Sequence, residues 1–422
     1  MTLRYVLVST IVVFTLLNII SVNILHPSVH SPDIQHAFDT AAALRQSSKT
    51  DNKIQEIPLT IYDHNGKVLT SPPSRNSFQM TSILDRMLYH FPYNPNDPVE
   101  NNILQLWKTS NIDSISKDGD DTKEEEFPNA CKELIDRWAS ANPDHEHILL
   151  SLKDAEDIVA DLMRPLVPEV VDALRMLPHD RLKYEFLKFL LVFLHGGVYA
   201  DIDTTDVKPI KHWYKLSTLP TKVWLGIDAD LNSPDWADHY SRRLSFTPSI
   251  FRAKAYHPLI ARIIARITFI IYSQNDLIKS IDWEKEFSDV DASGAPRIQF
   301  TGSSILTDSA FEYMNTLHQF VFFTSLKNSN LDQSSIQLNR EIFGPNVDPD
   351  QKFSYKIFTM LANPVQVYDL AVLPKISFTG YDSAQIDFYD DNNEKKGYER
   401  HYYGRSKALT DWSPKRLRLQ SN

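Results

Sequence analysis

Arg181-Leu182-Lys183-Tyr184-Glu185-Phe186-Leu187-Lys188-Phe189-Leu190-Leu191-Val192-Phe193-Leu194-His195-Gly196-Gly197-Val198-Tyr199-Ala200-Asp201-Ile202-Asp203 changes its hydrophobic period once, at the paired glycines. Before them, apolar residues at 182, 186, 189, 190 and 193 form one helical stripe, with Lys183, Glu185 and Lys188 off it. Gly196-Gly197 predicts the stop, because glycine takes left-handed backbone at a helix C-terminus without a Cβ clash. Val198-Tyr199-Ala200 is β-prone and predicts a short strand that delivers Asp201 and Asp203 at its end. Alternate residues of a strand share a side, so both carboxylates are expected on one face.

Two like charges held close disfavour each other's ionisation, and a divalent cation removes the conflict. Mg²⁺ and Mn²⁺ take oxygen ligands and commonly join one or two carboxylates to substrate phosphates, which suits a nucleotide-diphosphate donor. The plain alternative is an Asp-rich turn, since a bare D-x-D is common; the Gly-Gly-Val-Tyr-Ala-Asp-Ile-Asp run behind an amphipathic helix is more specific.

Outward from this stretch the chain divides. Tyr5–Leu25 is a run of 21 residues without a charge, which as a helix spans about 31 Å, the thickness of a bilayer core. An uncleaved anchor is favoured over a cleaved signal peptide, because the run exceeds a usual signal core and no small-x-small site follows. Arg4 and the amino terminus precede it, so residues 1–4 are expected in the cytosol and the remainder in a lumen. Residues 26–100 read as a stem, with Ser71-Pro72-Pro73-Ser74, Phe91-Pro92-Tyr93-Asn94-Pro95 and one short helix expected over Asp33–Leu44. The folded domain is expected from 101 to 422, opening on a buried strand at Asn102–Trp107, with a helix ending near Trp138, a turn at Asn142-Pro143 and a strand over His147–Leu150.

Composition narrows the function. The 422 residues are 42% hydrophobic and 11% aromatic, enough for a sizeable core. Lys and Arg number 44 against 54 Asp and Glu, and a net charge of −10 argues against a nucleic-acid partner. Cys131 stands alone, so neither an internal disulfide nor a thiolate zinc site can form. The acidic run from Asp113 to Glu126 lacks EF-hand spacing and reads as a solvated loop, and His145 and His147 read as surface residues.

His195 to Thr204, followed by Lys208-Pro209-Ile210, resembles the signature of glycosyltransferase family 32, nearest to its fungal Golgi initiation-specific α-1,6-mannosyltransferases. Leu106-Trp107, Trp138, Asn142-Pro143, Gly226–Asp230, Pro234–Trp236, Arg242-Arg243, His257-Pro258, Thr301-Gly302, Thr307–Phe311 and Val372–Phe378 are similar to further landmarks in the family's order, over roughly residues 101 to 404. Three departures stand out: Glu185 and Lys188 replace an Asp and an Arg, Gln105 replaces a common His, and His401 is alone where the family pairs histidines before a Gly-Ser-Trp group.

The resemblance implies an α/β fold of GT-A type that binds GDP-mannose at the carboxyl ends of its strands, where open sheets place ligands, and retaining transfer of mannose from it to a mannose-containing acceptor, in α-1,6 linkage on N-glycan outer chains or cell-wall mannan. It implies Mn²⁺ or Mg²⁺ on Asp201, Asp203 and His401, catalytic roles for Asp201, Asp203 and Asp308, and donor contacts from Lys183, Glu185, Tyr199, Trp107, Gly196 and Gly197. Asp228, Asp230 and Trp236 are further candidates for sugar contact, and N-capping is the structural alternative for Asp308. Localisation in the Golgi membrane as a single-pass type II protein follows from the same likeness, with other mannosyltransferase subunits as potential partners. A non-catalytic subunit of a mannan polymerase complex is the competing expectation, and a sphingolipid mannosyltransferase is disfavoured by the polar C-terminus, residues 381 to 422.

Overall fold

The computed structural model describes residues 61, 63–64, 67–108, 129–213, 221–231, 233–291, 296–321, 353–367, 369–380 and 399–405. The expected membrane anchor, the helix over 33–44, the acidic run 113–126 and all of the polar C-terminus except 399–405 lie outside these residues. Among the described residues no helix is long and apolar enough to cross a membrane.

A seven-stranded sheet is the centre of a mixed α/β fold. Its strands are β1 (Asn102–Trp107), β2 (Glu146–Ser151), β3 (Gly197–Ala200), β5 (Val223–Asp230), β6 (Leu244–Ala253), β7 (Val365–Val367) and β8 (Leu370–Leu373), in the order β2-β1-β3-β6-β5-β8-β7. β4 (Thr205–Asp206) pairs with β9 (Gly404–Arg405) as a separate ribbon. β2, β1 and β3 run parallel, β6 is antiparallel to both β3 and β5, and β5 pairs β8 in parallel. The carboxyl ends of β1, β3, β5 and β8 therefore open on one edge, where such sheets place ligands.

The helices are α1 (Met80–His90), α2 (Asn129–Ala141), α3 (Leu152–Met163), α4 (Pro168–Met176), α5 (Asp180–His195), α6 (Pro258–Ser273) and α7 (Ser303–Val321), beside shorter turns of helix. α5 follows the apolar stripe read from the sequence but is more deeply enclosed than one stripe requires: every residue from Phe186 to Leu194 is buried, Lys188 included. Burying each large apolar side chain contributes roughly 1.5–3 kcal/mol, so this helix is a principal anchor of the core. Its end matches the glycine reading. Gly196 has φ 64° and Gly197 φ 101°; a Cβ on Gly197 would stand 2.4 Å from the Asn102 carbonyl oxygen and one on Gly196 would stand 2.7 Å from the Ala255 nitrogen.

Opposite faces of the sheet carry different cores. Leu104, Leu106, Tyr199, Leu225 and Phe251 join α5, α6 and α7 in the larger one. Ile103, Val198, Ala200, Trp224 and Ile250 join Trp138, Trp213, Phe378 and Tyr403 on the other side.

The stem boundary expected at residue 100 is corrected. Ile83, Leu84 and Met87 of α1 and Phe91 beyond it are buried in the larger core, and the Tyr93 hydroxyl donates to the Asp369 carboxylate at 2.8 Å. The sequence hid this because α1 is one short amphipathic helix between proline-rich turns.

Candidate active site

Trp107 closes β1 and is buried with Cys131, Ile135 and Ile202. It supports the residue between the two aspartates, and its 3% exposure leaves no ring face open to a donor base. Gln105, two residues earlier in β1, accepts from or donates to His147 of β2, Oε1 to Nε2 at 2.7 Å. Its amide nitrogen reaches the Asp201 carbonyl at 3.5 Å. His147, read as a surface residue, is half-buried instead, and burial lowers its pKa.

β3 ends at Ala200, so the expected period-two alternation does not govern the aspartates. Asp201 to Thr204 is a turn: the Thr204 N–H donates to the Asp201 carbonyl at 3.0 Å and its hydroxyl does so at 2.5 Å. The Asp201 N–H donates to the Ser249 carbonyl of β6 at 2.8 Å, and Trp138 Nε1–H donates to the Thr204 carbonyl at 3.1 Å. The turn is thus pinned from both sides, with Asp203 buried and Asp201 partly open.

The Asp201 carboxylate is oriented by two groups on the same oxygen. Tyr199 O–H donates to Oδ1 at 3.0 Å and Lys188 Nζ lies 3.4 Å from it. Lys188 also pairs with Glu185 at 3.1 Å and sits over the Tyr199 ring at 5.2 Å from its centre. Burial opposes the ammonium charge, yet the Asp201 and Glu185 carboxylates outweigh it and raise the Lys188 pKa. Burial first, then the same two carboxylates, push the Tyr199 phenol well above its usual range, so it stays a donor. Asp201 Oδ2 receives no hydrogen bond among the described residues.

The other expected residues fall in distinct places. Lys183 pairs with Glu156 at 3.2 Å and Asp180 at 3.5 Å, on the outer side of α5. Gly196 and Gly197, expected as donor contacts, stand at the far end of β3 from Asp201; four strand residues span about 13 Å, and the glycines serve the helix-to-strand turn. Asp308 is no N-cap, because α7 begins five residues earlier at Ser303. Its carboxylate takes a bidentate fork from Arg242, Nε at 2.8 Å and Nη2 at 2.7 Å. Asp230 is committed to structure: Thr359 O–H and Met360 N–H donate to it at 2.8 and 2.6 Å. Asp228, by contrast, stays partly exposed at the end of β5, and Trp236 opens a short helix with partial exposure.

His401 is buried on the segment leading to β9, beside the ribbon that follows the aspartate turn. Nδ1 lies 2.8 Å from the Tyr403 hydroxyl and Nε2 lies 3.3 Å from Asn363 Oδ1. Burial, then the charges of Arg400 and Lys208, lower its pKa to about 4, so the ring is neutral at pH 7. The expected metal trio is not assembled: among the described residues, Asp63, His64 and Asp85 are the group of three whose ligand atoms lie within 4.8 Å of one another. Asp201 and Asp203 are hard oxygen donors with one free carboxylate oxygen, which fits a cation that completes its shell with phosphate oxygens and water; His401 meets it only by exchanging its present partners.

Comparison with known proteins bears on the same turn. A glycosyltransferase sugar-binding region containing a DXD motif matches residues 128–220, the span from α2 through the Asp201 turn. The chain is 28% identical over 416 residues to the initiation-specific α-1,6-mannosyltransferase of Candida albicans, covering 96% of this chain and 94% of that one. It is 26% identical over 442 residues to the Saccharomyces cerevisiae protein of the same name, covering 85% and 88%. The chain carries a glycosyltransferase sugar-binding region and is similar over most of its length to these two fungal proteins. It is an enzyme of the glycosyltransferase class, and Asp201-Ile202-Asp203 is the D-x-D sequence within the matched span.

The geometry also separates what was legible from what was missed. Tyr199, Asp201 and Glu185 converge through Lys188, whose position three residues after Glu185 was the available signal. Arg242 was visible only as half of an Arg-Arg pair, and nothing in the sequence linked it to Asp308, 66 residues away.

Proposed function

We propose that the protein is a retaining mannosyltransferase that moves mannose from GDP-mannose to a mannose-containing glycan, in α-1,6 linkage, on N-glycan outer chains or cell-wall mannan. The observation that carries this is the Asp201–Asp203 turn at the carboxyl end of β3, in a chain related over most of its length to proteins named for that activity. The sheet, with its ligand edge at β1, β3 and β5, supports a GT-A reading of the fold. The uncharged run Tyr5–Leu25 supports a type II anchor in the Golgi membrane, with the catalytic domain in the lumen.

In this reading Asp201, through Oδ2, and Asp203 hold Mn²⁺ or Mg²⁺. When bound, the cation neutralises charge on the diphosphate as GDP departs. Everything else is supplied by the chain. Tyr199 and Lys188 fix the Asp201 carboxylate so that one oxygen faces the protein and the other faces the substrate. Glu185 balances the buried Lys188 charge. Trp107 beneath Ile202, with Trp138 on Thr204, keeps the turn from shifting. His401, neutral at pH 7, can accept a hydrogen bond or donate one to the donor without adding charge.

A panel of sugar nucleotides offered with core N-glycans and α-mannosides tests the reading. GDP-mannose is expected as the one good donor, and NMR of the product should show a 1,6 linkage with retained α configuration. Transfer from a different nucleotide sugar, or glycan binding without any turnover, contradicts it; the second result would identify a structural subunit.

A further inference from the structure

Arg242 and Asp308 form an ion pair with more constraint than a surface pair needs. The guanidinium gives both fork hydrogens to the carboxylate, at 2.8 and 2.7 Å, and its remaining Nη1 donates to the Ser241 carbonyl at 2.7 Å. Both side chains nevertheless stay open to water, at 42% and 30% exposure. A bidentate pair can stabilise more than the about 0–1 kcal/mol of an ordinary surface pair, but the partial exposure of this one leaves the carboxylate within reach of a ligand.

The surroundings hold the pair from both ends. Gln299 donates to the Ser241 hydroxyl at 2.9 Å and accepts from the hydroxyls of Ser303 and Ser304 at 2.7 and 2.9 Å, tying the loop before β6 to the start of α7. Thr307, next to Asp308, accepts from the Phe246 N–H at 2.9 Å and donates to the Ser303 carbonyl at 2.7 Å. Neither Arg242 nor Asp308 has a second ionic partner among the described residues. The outer lone pairs of a carboxylate gripped by a guanidinium fork remain available, in one fixed plane, to accept hydroxyl hydrogens.

Register sets the distance from the donor site. Ala200, just before Asp201, pairs with Ile250 of β6. Thr307 meets β6 at Phe246, four residues nearer the ligand edge, about 13 Å along the strand. The Asp201 N–H is tied to Ser249 of β6, three residues from Phe246, so the pair stands about 10 Å along the strand from the aspartate turn, toward the same ligand edge. We propose that Arg242 is a positioning residue that sets the plane of the Asp308 carboxylate so that it reads hydroxyl groups of the acceptor mannoside. This rests on the mannosyltransferase reading above.

The test uses the full-length chain in detergent, with GDP-mannose and α-linked mannobiose, and compares Arg242→Lys with the charge-swapped double variant Arg242→Asp/Asp308→Arg. Arg242→Lys keeps the charge but loses the planar fork. It is expected to raise the KM for mannobiose about tenfold, a change of about 1.4 kcal/mol. The KM for GDP-mannose, acceptor-free release of GDP and the melting temperature should stay near those of the parent. The charge swap should recover any lost thermal stability without recovering the acceptor KM, which a purely structural ion pair would not do. An unchanged acceptor KM in Arg242→Lys, its recovery in the swap, or an effect confined to the donor overturns the proposal. If the parent chain fails to use GDP-mannose, the mannosyltransferase reading fails by itself. Mannobiose binding measured by calorimetry on the same variants then decides the role of the pair: weaker binding in Arg242→Lys upholds it and equal binding overturns it.

Discussion

At the scale of a residue, Lys188 is the most consequential side chain that the sequence did not single out for a role. It is 2% exposed, between two carboxylates. Removing one member of a buried charge cluster commonly costs about 3–5 kcal/mol, because the remaining charges are left unpaired. Lys188→Met should therefore lose stability of that order in urea denaturation, and Lys188→Arg, which restores the charge, should lose much less. The raised pKa of Lys188 fixes the pH dependence. A cation whose folded pKa exceeds its unfolded value of about 10.4 contributes in full below that value, and the contribution fades as pH rises through the folded pKa. The stability gap between the parent and Lys188→Met should be flat from about pH 6 to 9 and narrow above about pH 10.5. A gap that widens at high pH would contradict the assignment. Periodicity placed Lys188 off the apolar stripe of α5, and that is correct for the angle but silent on burial, which depends on β3 and the aspartate turn closing over it.

At the scale of an element, the helix-to-strand joint was the most legible part of the protein. Amphipathic spacing marked α5, the glycine pair marked its end, and the β-prone triplet marked β3, because each signal is local. The direction of the aspartates was not legible: strand alternation stops at Ala200, and the turn beyond is set by Ser249, Thr204 and Trp138. Gly197→Ala tests the joint. With φ at 101° and the Asn102 carbonyl oxygen 2.4 Å from any added Cβ, both torsion and space oppose alanine. A loss of at least about 2 kcal/mol is expected in thermal or urea unfolding, against roughly 0.5–1 kcal/mol of gain when glycine is replaced at an ordinary helical or strand position. Neutrality would show that β1 and β3 approach less closely than described.

At the scale of the whole molecule, the α/β class was readable, whereas the domain boundary was not. Long-range packing decides the boundary: α1 rests on α6, and Tyr93 reaches Asp369 across 276 positions of sequence. Burial raises the Asp369 pKa, but His257 and the Tyr93 hydroxyl outweigh it and hold the carboxyl below its usual range. A fragment beginning at residue 101 should melt well below one beginning at residue 61, or fail to fold; equal melting temperatures would restore the longer stem.

The central claim is that Asp201 and Asp203 carry a cation-dependent mannosyl transfer. GDP release coupled to product formation, measured with GDP-mannose and an α-mannoside in Mn²⁺ and again in excess chelator, addresses it most directly when run on the parent, Asp201→Asn and Asp203→Asn. The account predicts transfer by the parent that chelator abolishes and Mn²⁺ restores, with losses of at least about 100-fold in both variants when assayed at a temperature where each stays folded. Full transfer by either variant, or transfer indifferent to chelator, would contradict it.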